Sequence, residues 1–534
     1  MSALKPVLDL RWPIYLGWLG ISALIGGVAC LVPLTETLGY EFALAISLVA
    51  SAGAGHLAAC YPARVRNQLA PFPGARWPVA MLYLRTLCHG LSLLILPLAL
   101  SLLNGLRVPQ CNIADGVLFY ALLPVPSVAL AVAGGLLAGI ATPGSKSGTV
   151  LWFVGLGAVL AFGLHEGHAT PAVYSFGPFH GFFPGVLYDE LIRVDSRVYT
   201  YRLASAIQLL SLLSIGAWLL EPATVRLSLS RGWSRKRTLA ATALLLVGAM
   251  AMYLAGPTLG HRTGREDLEQ LLPKRISAPG LELFFQAAAD RQTVEDLTAD
   301  ASFSLHQVER FLDAQSGDPI AVFFFASYDQ KRRAMGAART NVAKPWRGEV
   351  YVTLEPAPHR VLRHELAHAV AARFARGPFG VAGSLGGWWP DPGLIEGLAT
   401  AAQGPRDGLT VHQWAAAMKG EELLPPLEQI FGLGFLDIAQ STAYTAAGSF
   451  CRFVRDEHGA EALRRAYGGE SWHQATGKTT TELEQAWQAN LDRVALNPAD
   501  LAAARHRFDR PSVIRSTCVH EVARLRVEAG RAAA

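Results

Sequence analysis

Seven long apolar segments occupy the first half of this 534-residue chain. They cover residues 12–33, 41–59, 78–103, 116–141, 149–164, 203–220 and 238–255. An apolar helix of about 20 residues spans the roughly 30 Å hydrocarbon core of a bilayer. A helix also satisfies its backbone hydrogen bonds internally, as a lipid environment requires. The pattern therefore predicts an N-terminal all-α membrane bundle of about seven transmembrane helices within residues 1–258.

Basic residues are distributed unequally between the connecting segments. If the amino terminus is cytoplasmic, eleven lie on the inner side and four on the outer side. The inner set is Lys5, Arg11, Arg64, Arg66, Arg76, Lys146, Arg226, Arg231, Arg235, Lys236 and Arg237, and the outer set is Arg107, Arg193, Arg197 and Arg202. Because Lys and Arg concentrate in cytoplasmic loops, we expect a multi-pass protein of the cell (inner) membrane with its amino terminus inside. An odd number of spans then makes everything after Pro257 extracytoplasmic, with the first span an uncleaved signal anchor.

The composition limits the classes of partner. With 51% hydrophobic and 17% charged residues, the chain is too apolar for a wholly soluble enzyme. Much of the net charge of +5 comes from the inner basic residues. No basic run interleaved with aromatic side chains is present, so we expect contact with membrane lipid and no nucleic-acid partner.

A charged connector at residues 259–279 leads into a part of the chain with the composition of a soluble domain. Its predicted elements are strands at 280–286, 319–327 and 349–354 and helices at 301–314 and 361–374. They indicate a small α+β lobe, followed by a mainly helical part. We expect the strand at 349–354 to be the sheet edge to which an extended peptide pairs. The domain would cover 280–496, with a helical extension at 497–534.

The sequence His364-Glu365-Leu-Ala-His368 lies on the predicted helix at 361–374. Positions i and i+4 of a helix share one face, so both imidazoles can bind one zinc ion while Glu365 lies beside its open position. A zinc ion with three protein ligands needs one more donor. Glu396 begins a second helical stretch after a Gly/Trp/Pro-rich turn and is the candidate.

These residues carry a resemblance to a known family. The strings Arg-His364-Glu365-Leu-Ala-His368 and Leu-Ile-Glu396-Gly-Leu-Ala resemble the gluzincin metallopeptidases of the MA clan, in particular the peptidase-MA-like domains related to aminopeptidase N. Ala-Tyr444-Thr-Ala-Ala-Gly-Ser-Phe resembles the helix that carries the family's transition-state tyrosine. The gap between His368 and Glu396 is longer than in the aminopeptidase N family, and no Gly-Ala-Met-Glu-Asn segment is present, so aminopeptidase specificity is not implied.

The resemblance implies a zincin-like fold and a peptide or protein substrate. One Zn2+ per chain would be held by His364, His368 and Glu396. Glu365 would accept the proton of the attacking water and pass it to the leaving amine. Tyr444 would donate to the developing oxyanion, unless it is an ordinary core residue.

A different class of function stays open at this point. One span would be enough to anchor a domain, so the long apolar part also suits a membrane transport, receptor or scaffold protein whose peptidase-like domain binds partners without cutting. An intramembrane protease is disfavoured because Arg360, Arg363, Arg373 and Arg376 surround the motif, which makes a position in hydrocarbon costly.

Two further features allow alternatives. Cys451 and Cys518 share the outward part, where an oxidising compartment permits a disulfide, but Cys451 also suits a buried position.

The aromatic loop at 165–202 contains three histidines, Asp189 and Glu190. It suits either a second metal site or an interfacial loop that folds back on the bundle with its aromatics at headgroup level. Oligomeric state is not predicted.

Overall fold

The computed structural model describes residues 12–66, 77–185, 190, 192–315, 317–512, 514–515 and 518–532. Lys5, Arg11, Arg76 and Asp189, which were named above, lie outside these residues. The chain forms two compact units. The first combines Met1–Gly264 with Thr517–Ala534, and the second is Arg265–Ser516.

The first unit is built mainly of helices. They are α1 (Trp12–Ala29), α2 (Tyr40–Val65), α3 (Pro78–Ser92), α4 (Ile95–Asn104), α5 (Ile113–Leu122), α6 (Pro124–Ala141), α7 (Ser145–Ala169), α8 (Ser196–Leu219), α9 (Leu229–Ser234) and α10 (Lys236–Leu254). Two short antiparallel hairpins connect them, β1 (Ser175–Gly177) with β2 (Gly181–Phe183) and β3 (Leu220–Glu221) with β4 (Arg226–Leu227).

Within the described residues, six helices are long and apolar enough to cross a membrane. They are α2, α3 with α4, α5 with α6, α7, α8 and α10. The first predicted segment corresponds to α1, whose apolar stretch Pro13–Ala29 is shorter. The prediction of an all-α part with membrane-spanning helices is confirmed at this level.

Close contact between α2 and α6 organises the first unit. A Cβ atom on Gly135 would lie 2.0 Å from the Gly55 carbonyl oxygen, and one on Gly139 would lie 2.4 Å from that of Ala59. Glycine is therefore required where the two backbones meet, as is common between helices in membranes.

The segments that connect these helices meet in two separate groups. In one group, Arg66 donates to the carbonyl oxygens of Gly139 at 2.8 Å, Thr142 at 2.7 Å and Val225 at 3.0 Å. This contact joins the end of α2 to the α6–α7 connection and to the β3–β4 turn.

The second group contains the α1–α2, α4–α5 and α7–α8 connections and the segment after α10. The Leu38 amide donates to Gln110 Oε1 at 2.8 Å, which joins the α1–α2 and α4–α5 connections. The hydroxyl groups of Tyr174 and Thr263 are 3.0 Å apart, which joins the α7–α8 connection to the segment after α10. Successive connections of the first unit thus alternate between the two groups.

The described part of the loop predicted at 165–202 contains regular secondary structure. Helix α7 continues to Ala169, and β1 and β2 pair between it and α8. The loop folds back on the bundle, as one alternative expected. Phe176, Phe179 and Phe182 are buried rather than exposed at headgroup level, and the Phe179 carbonyl accepts a hydrogen bond from Ser47 Oγ at 2.9 Å.

The second unit begins with a mixed α+β part. Its elements are α11 (Arg265–Leu271), β5 (Lys274–Ala278), β6 (Leu281–Phe285), α12 (Arg291–Leu312), β7 (Ile320–Phe325), α13 (Tyr328–Met335), β8 (Val342–Lys344), β9 (Glu349–Thr353) and α14 (Leu362–Ala371). The sheet order is β5-β6-β7-β9-β8, with the two outer pairs antiparallel and the two inner pairs parallel.

The position of β9 corrects one prediction. The strand expected at 349–354 was interpreted as the sheet edge, but β8 pairs with β9 antiparallel and occupies that edge. Strand β9 is wholly buried between β7 and β8. Three residues are too short to show strand alternation in the sequence, which is why β8 was not predicted.

The rest of the second unit is mainly helical, as predicted. It contains β10 (Gly383–Ser384), β11 (Trp389–Pro390), α15 (Pro392–Ala402), α16 (Val411–Gly420), α17 (Leu427–Ile430), α18 (Gln440–Tyr467), α19 (Trp472–Thr476), α20 (Thr480–Leu491) and α21 (Pro498–Phe508). Helix α18 is interrupted at Gly459, whose φ of 84° is not helical.

The carboxyl-terminal helix α22 (Val519–Ala532) belongs to the first unit. A disulfide bond joins Cys518 to Cys111 in the α4–α5 connection. The alternative of a Cys451–Cys518 bond is therefore wrong, and Cys451 is a buried free thiol. His520 fastens the same segment, with Nε2 2.6 Å from Glu41 Oε1 and Nδ1 3.0 Å from the Glu190 carbonyl.

Candidate metal centre

Helix α14 presents two opposite faces. Leu362, Leu366 and Val370 are buried in the core that the helix shares with the sheet and α12. His364 and His368 lie one turn apart on another face. The turn before the helix is fastened by His359, whose Nε2 atom lies 2.9 Å from the Thr353 carbonyl oxygen at the end of β9. The sheet thus fixes where α14 begins.

Three candidate ligand atoms converge where α14 meets α15. His364 Nε2 lies 3.2 Å from His368 Nε2 and 3.2 Å from Glu396 Oε2, and His368 Nε2 lies 3.6 Å from the same oxygen. Ligand atoms that share a tetrahedral zinc ion, at about 2.0–2.2 Å from it, are about 3.3–3.5 Å apart. The donor set and its spacing therefore fit zinc.

Helix α15 is held so that Glu396 faces the two histidines. Asp391 caps its amino terminus by accepting a hydrogen bond from the Leu394 amide at 3.1 Å. A Cβ atom on Gly393 would lie 2.2 Å from the Ile430 carbonyl oxygen, and one on Gly397 would lie 2.8 Å from Cys451 Sγ. Both glycines therefore permit the close packing of α15 that brings Glu396 to its position.

Two further predicted residues adjoin these ligands. The ring of Tyr444, in the first turns of α18, stacks against His364 with centroids 6.3 Å apart and planes at 8°. Glu365 is 7% exposed and interacts electrostatically with both His368 and Tyr444. The structure thus brings all five predicted site residues together.

The ionisable groups of the candidate metal centre shift one another's pKa values. Burial raises the pKa of Glu396, but the charges and hydrogen bonds of His368 and His364 outweigh burial, so the net pKa is lowered. Burial lowers the pKa of His368, but Glu396 outweighs it and the net pKa is raised. Burial, together with the charge of Glu396, raises the pKa of Tyr444. Tyr444 therefore stays protonated and can donate a hydrogen bond.

Sequence reasoning missed one neighbour of the site. Gln440 Nε2 donates to the Tyr444 hydroxyl oxygen at 3.0 Å. The two residues are four positions apart on α18, so the i, i+4 spacing was the available signal. Asp391 acts as a helix cap and not as a ligand. Trp388 and Trp389, in the turn before α15, are 68% and 59% exposed.

Among the described residues, His364, His368 and Glu396 are the one group of three or more side chains found close enough to hold a metal. The alternative of a second site in the aromatic loop gains no support from His165, His168, His180 and Glu190, which form no such group. No protein-family model matches the chain, and no curated protein matches its sequence. The candidate centre therefore rests on its own geometry.

Proposed function

We propose that the chain is a membrane-anchored, gluzincin-type zinc metallopeptidase that hydrolyses peptide bonds on the extracytoplasmic side. The observation that carries this proposal is the meeting of a two-histidine, one-glutamate donor set with the carboxylate of Glu365 and the hydroxyl of Tyr444. A merely structural zinc site uses four protein ligands, whereas three leave a position for water or substrate.

Each residue has a separate task in this proposal. A zinc ion held by His364, His368 and Glu396 would polarise the scissile carbonyl and lower the pKa of a bound water. Glu365 accepts a proton from the attacking water and returns it to the leaving amine. Tyr444 donates its proton to the oxygen on which negative charge develops.

Limited solvent access favours this chemistry. The side chains of His364, His368 and Glu396 are 12%, 9% and 21% exposed. The ligand side chains therefore keep some exposed surface, while most of the surrounding water is excluded. Electrostatic interactions in such a dry site are stronger than they are in water.

The extracytoplasmic location is supported by three independent observations. Alternate connections of the first unit meet in two groups, as they do in a bundle that crosses a membrane repeatedly. The group that contains Arg66 also contains Arg226, which agrees with the predicted excess of inner basic residues. The Cys111–Cys518 bond lies in the other group and suits an oxidising compartment.

The direct test is zinc content and peptide hydrolysis of the purified full chain. We expect one zinc per chain, lost or weakened in His364→Ala, His368→Ala and Glu396→Ala. Glu365→Gln keeps zinc and abolishes hydrolysis because only the proton acceptor is removed. Glu461→Gln, an exposed change on α18, is the matched control and keeps both properties. Full hydrolysis in Glu365→Gln would contradict the mechanism.

A further inference from the structure

Five arginine side chains lie together beside the start of α14 and the end of α15. This arginine cluster consists of Arg360, Arg363, Arg406, Arg452 and Arg507. Arg363 Nη1 is 3.7 Å from the position of a Cβ atom on Gly404, which follows α15. Arg363 and Arg452 repel each other, and Arg406 is repelled by both Arg507 and Arg360.

The carboxylates near the cluster do not balance it. Asp407 lies 2.5 Å from Arg507 Nη1 and 4.0 Å from Arg406 Nε. Asp456 lies 2.8 Å from Arg452 Nε but is shared with Arg455, at 3.0 Å from its Nη1 atom. The five arginines and these two aspartates carry a net charge of +3.

Arg360 and Arg363 have no close ion pair among the described residues, although Arg360 interacts electrostatically with Asp407 at longer range. Within the part of the chain that the structure describes, neither has a carboxylate oxygen within 4.0 Å. The Nε atom of Arg363 is buried and has no hydrogen-bond partner there. A buried donor without a partner is unfavourable.

The cluster is not a consequence of composition. Residues 265–516 contain 27 Lys and Arg and 31 Asp and Glu, so the second unit has a net charge of −4. A local surplus of positive charge on an otherwise acidic unit attracts anions and raises their local concentration.

We infer that the arginine cluster binds an acidic side chain of the peptide that the metal centre cuts, an inference that rests on the proposed function. Arg363 directly precedes the ligand His364. An extended peptide advances about 3.3 Å per residue, so we expect the acidic side chain to be only a few residues from the scissile bond. The planar guanidinium group binds carboxylates through two parallel hydrogen bonds.

A peptide fits this surface better than an anionic membrane does. Lipid-binding basic segments expose their side chains freely to the headgroups. Here the side chains of Arg452 and Arg507 are only 36% and 21% exposed, and Arg507 packs over Trp414 at 4.9 Å. The cluster is therefore partly recessed.

The test measures binding to the full-length Glu365→Gln chain, which keeps the ligands but does not cut. Two fluorescent peptides of equal length carry glutamates or glutamines at the same positions. We expect the glutamate peptide to bind about three- to tenfold more tightly at low salt, with a difference that shrinks as salt is added.

Variants identify the surface responsible. Arg360→Gln combined with Arg406→Gln changes two exposed side chains and should remove the preference for glutamate. Arg291→Gln, a 90% exposed position on α12, is the matched control and should keep it. Equal affinity for both peptides overturns the inference. The inference is also overturned if neither peptide is preferred and the chain binds anionic vesicles but the double variant does not. The cluster is then a lipid contact.

Hydrolysis by the chain with Glu365 intact separates the two ideas. If the glutamate preference is present but neither peptide is cut, the acidic-peptide site stands and the proposed function fails. If both peptides are cut with equal kcat/KM and bind equally, the proposed function stands and this inference fails.

Discussion

Tyr444 is the site residue whose role depends on a single atom. Its ring stacks on His364 and on Phe435, and phenylalanine would keep both contacts. If the hydroxyl stabilises the oxyanion, Tyr444→Phe should lower kcat about 10²- to 10³-fold with little change in KM. The measurement is steady-state hydrolysis together with zinc content, which should not change.

A tyrosine that only fills the core gives a different result. Loss of a partly buried hydroxyl would cost about 1–2 kcal/mol of stability and leave turnover per folded molecule nearly intact. Thermal midpoint and kcat are therefore measured on the same preparation. A normal kcat with a lowered midpoint would remove Tyr444 from the mechanism.

The pairing of His368 with Glu396 predicts how zinc stabilises the chain at different pH. Glu396 raises the pKa of His368 above its ordinary 6.5. Without metal, the stability from this histidine is fully present below pH 6.5 and is lost as pH rises through the raised pKa. Because the pKa of Glu396 is lowered, its contribution to stability is present above about pH 4.3 and is lost as pH falls through the lowered pKa.

Zinc binds the neutral imidazole, so zinc binding strengthens as pH rises. Over the same pH range, the metal-free His368–Glu396 pair loses its stabilising effect. We expect zinc to raise the thermal midpoint of the full chain more at about pH 7.5 than at about pH 5.5. Glu396→Gln should reduce the midpoint gain at both values. A zinc effect that is larger at the lower pH would contradict the coupling.

Residue spacing could predict only part of the site. The i, i+4 rule was enough to place His364 and His368 on one face of a helix. Glu396 is 28 positions beyond His368, so its approach required a resemblance and not local geometry. The arginine cluster was not predicted as a unit, because its members come from segments that only the fold brings together.

Helix packing controls the position of Glu396. A Cβ atom on Gly397 would lie 2.8 Å from Cys451 Sγ and 3.0 Å from Ala447 Cβ. Gly397→Ala should therefore push α15 from α18, weaken zinc binding and cost about 1–3 kcal/mol of stability. Unfolding and zinc titration of the full chain measure both effects.

The clash also predicts a rescue. Adding Cys451→Ala to Gly397→Ala shortens the opposing side chain, so part of the lost zinc affinity should return. Gly404→Ala, whose Cβ atom meets only Arg363 Nη1 at 3.7 Å, is the control and should bind zinc normally. No recovery in the double variant would mean that Gly397 does not act through this contact.

At the same scale, the sequence predicted long elements better than short ones. The strand at 349–354 and the helix at 361–374 correspond to β9 and α14. Strands β5 and β8 were not predicted. One lies in a segment read as a charged connector, and the other has only three residues. Which strand forms the sheet edge depends on β8, so local pattern could not decide it.

The predicted topology concerns the whole molecule and can be tested with reporter fusions. Seven spans with an inner amino terminus put a reporter fused after Gly260 outside and one fused after Arg231 inside. Fusions that report the same side would contradict the span count. The segment at 149–164 was the shortest predicted span, and α7 extends over Ser145–Ala169, which is long enough to cross.

The Cys111–Cys518 bond allows a test of sidedness that needs no fusion. Cysteine pattern alone could not predict this pairing, because the two residues are 407 positions apart and share no spacing motif. Cys88→Ser removes the exposed free thiol. In this background, the protein in intact cells should not be labelled by a membrane-impermeant maleimide. The further change Cys111→Ser frees Cys518, which should then be labelled without permeabilisation. Labelling only after permeabilisation would put α22 on the inner side, and labelling without the Cys111 change would show that the two thiols are not bonded.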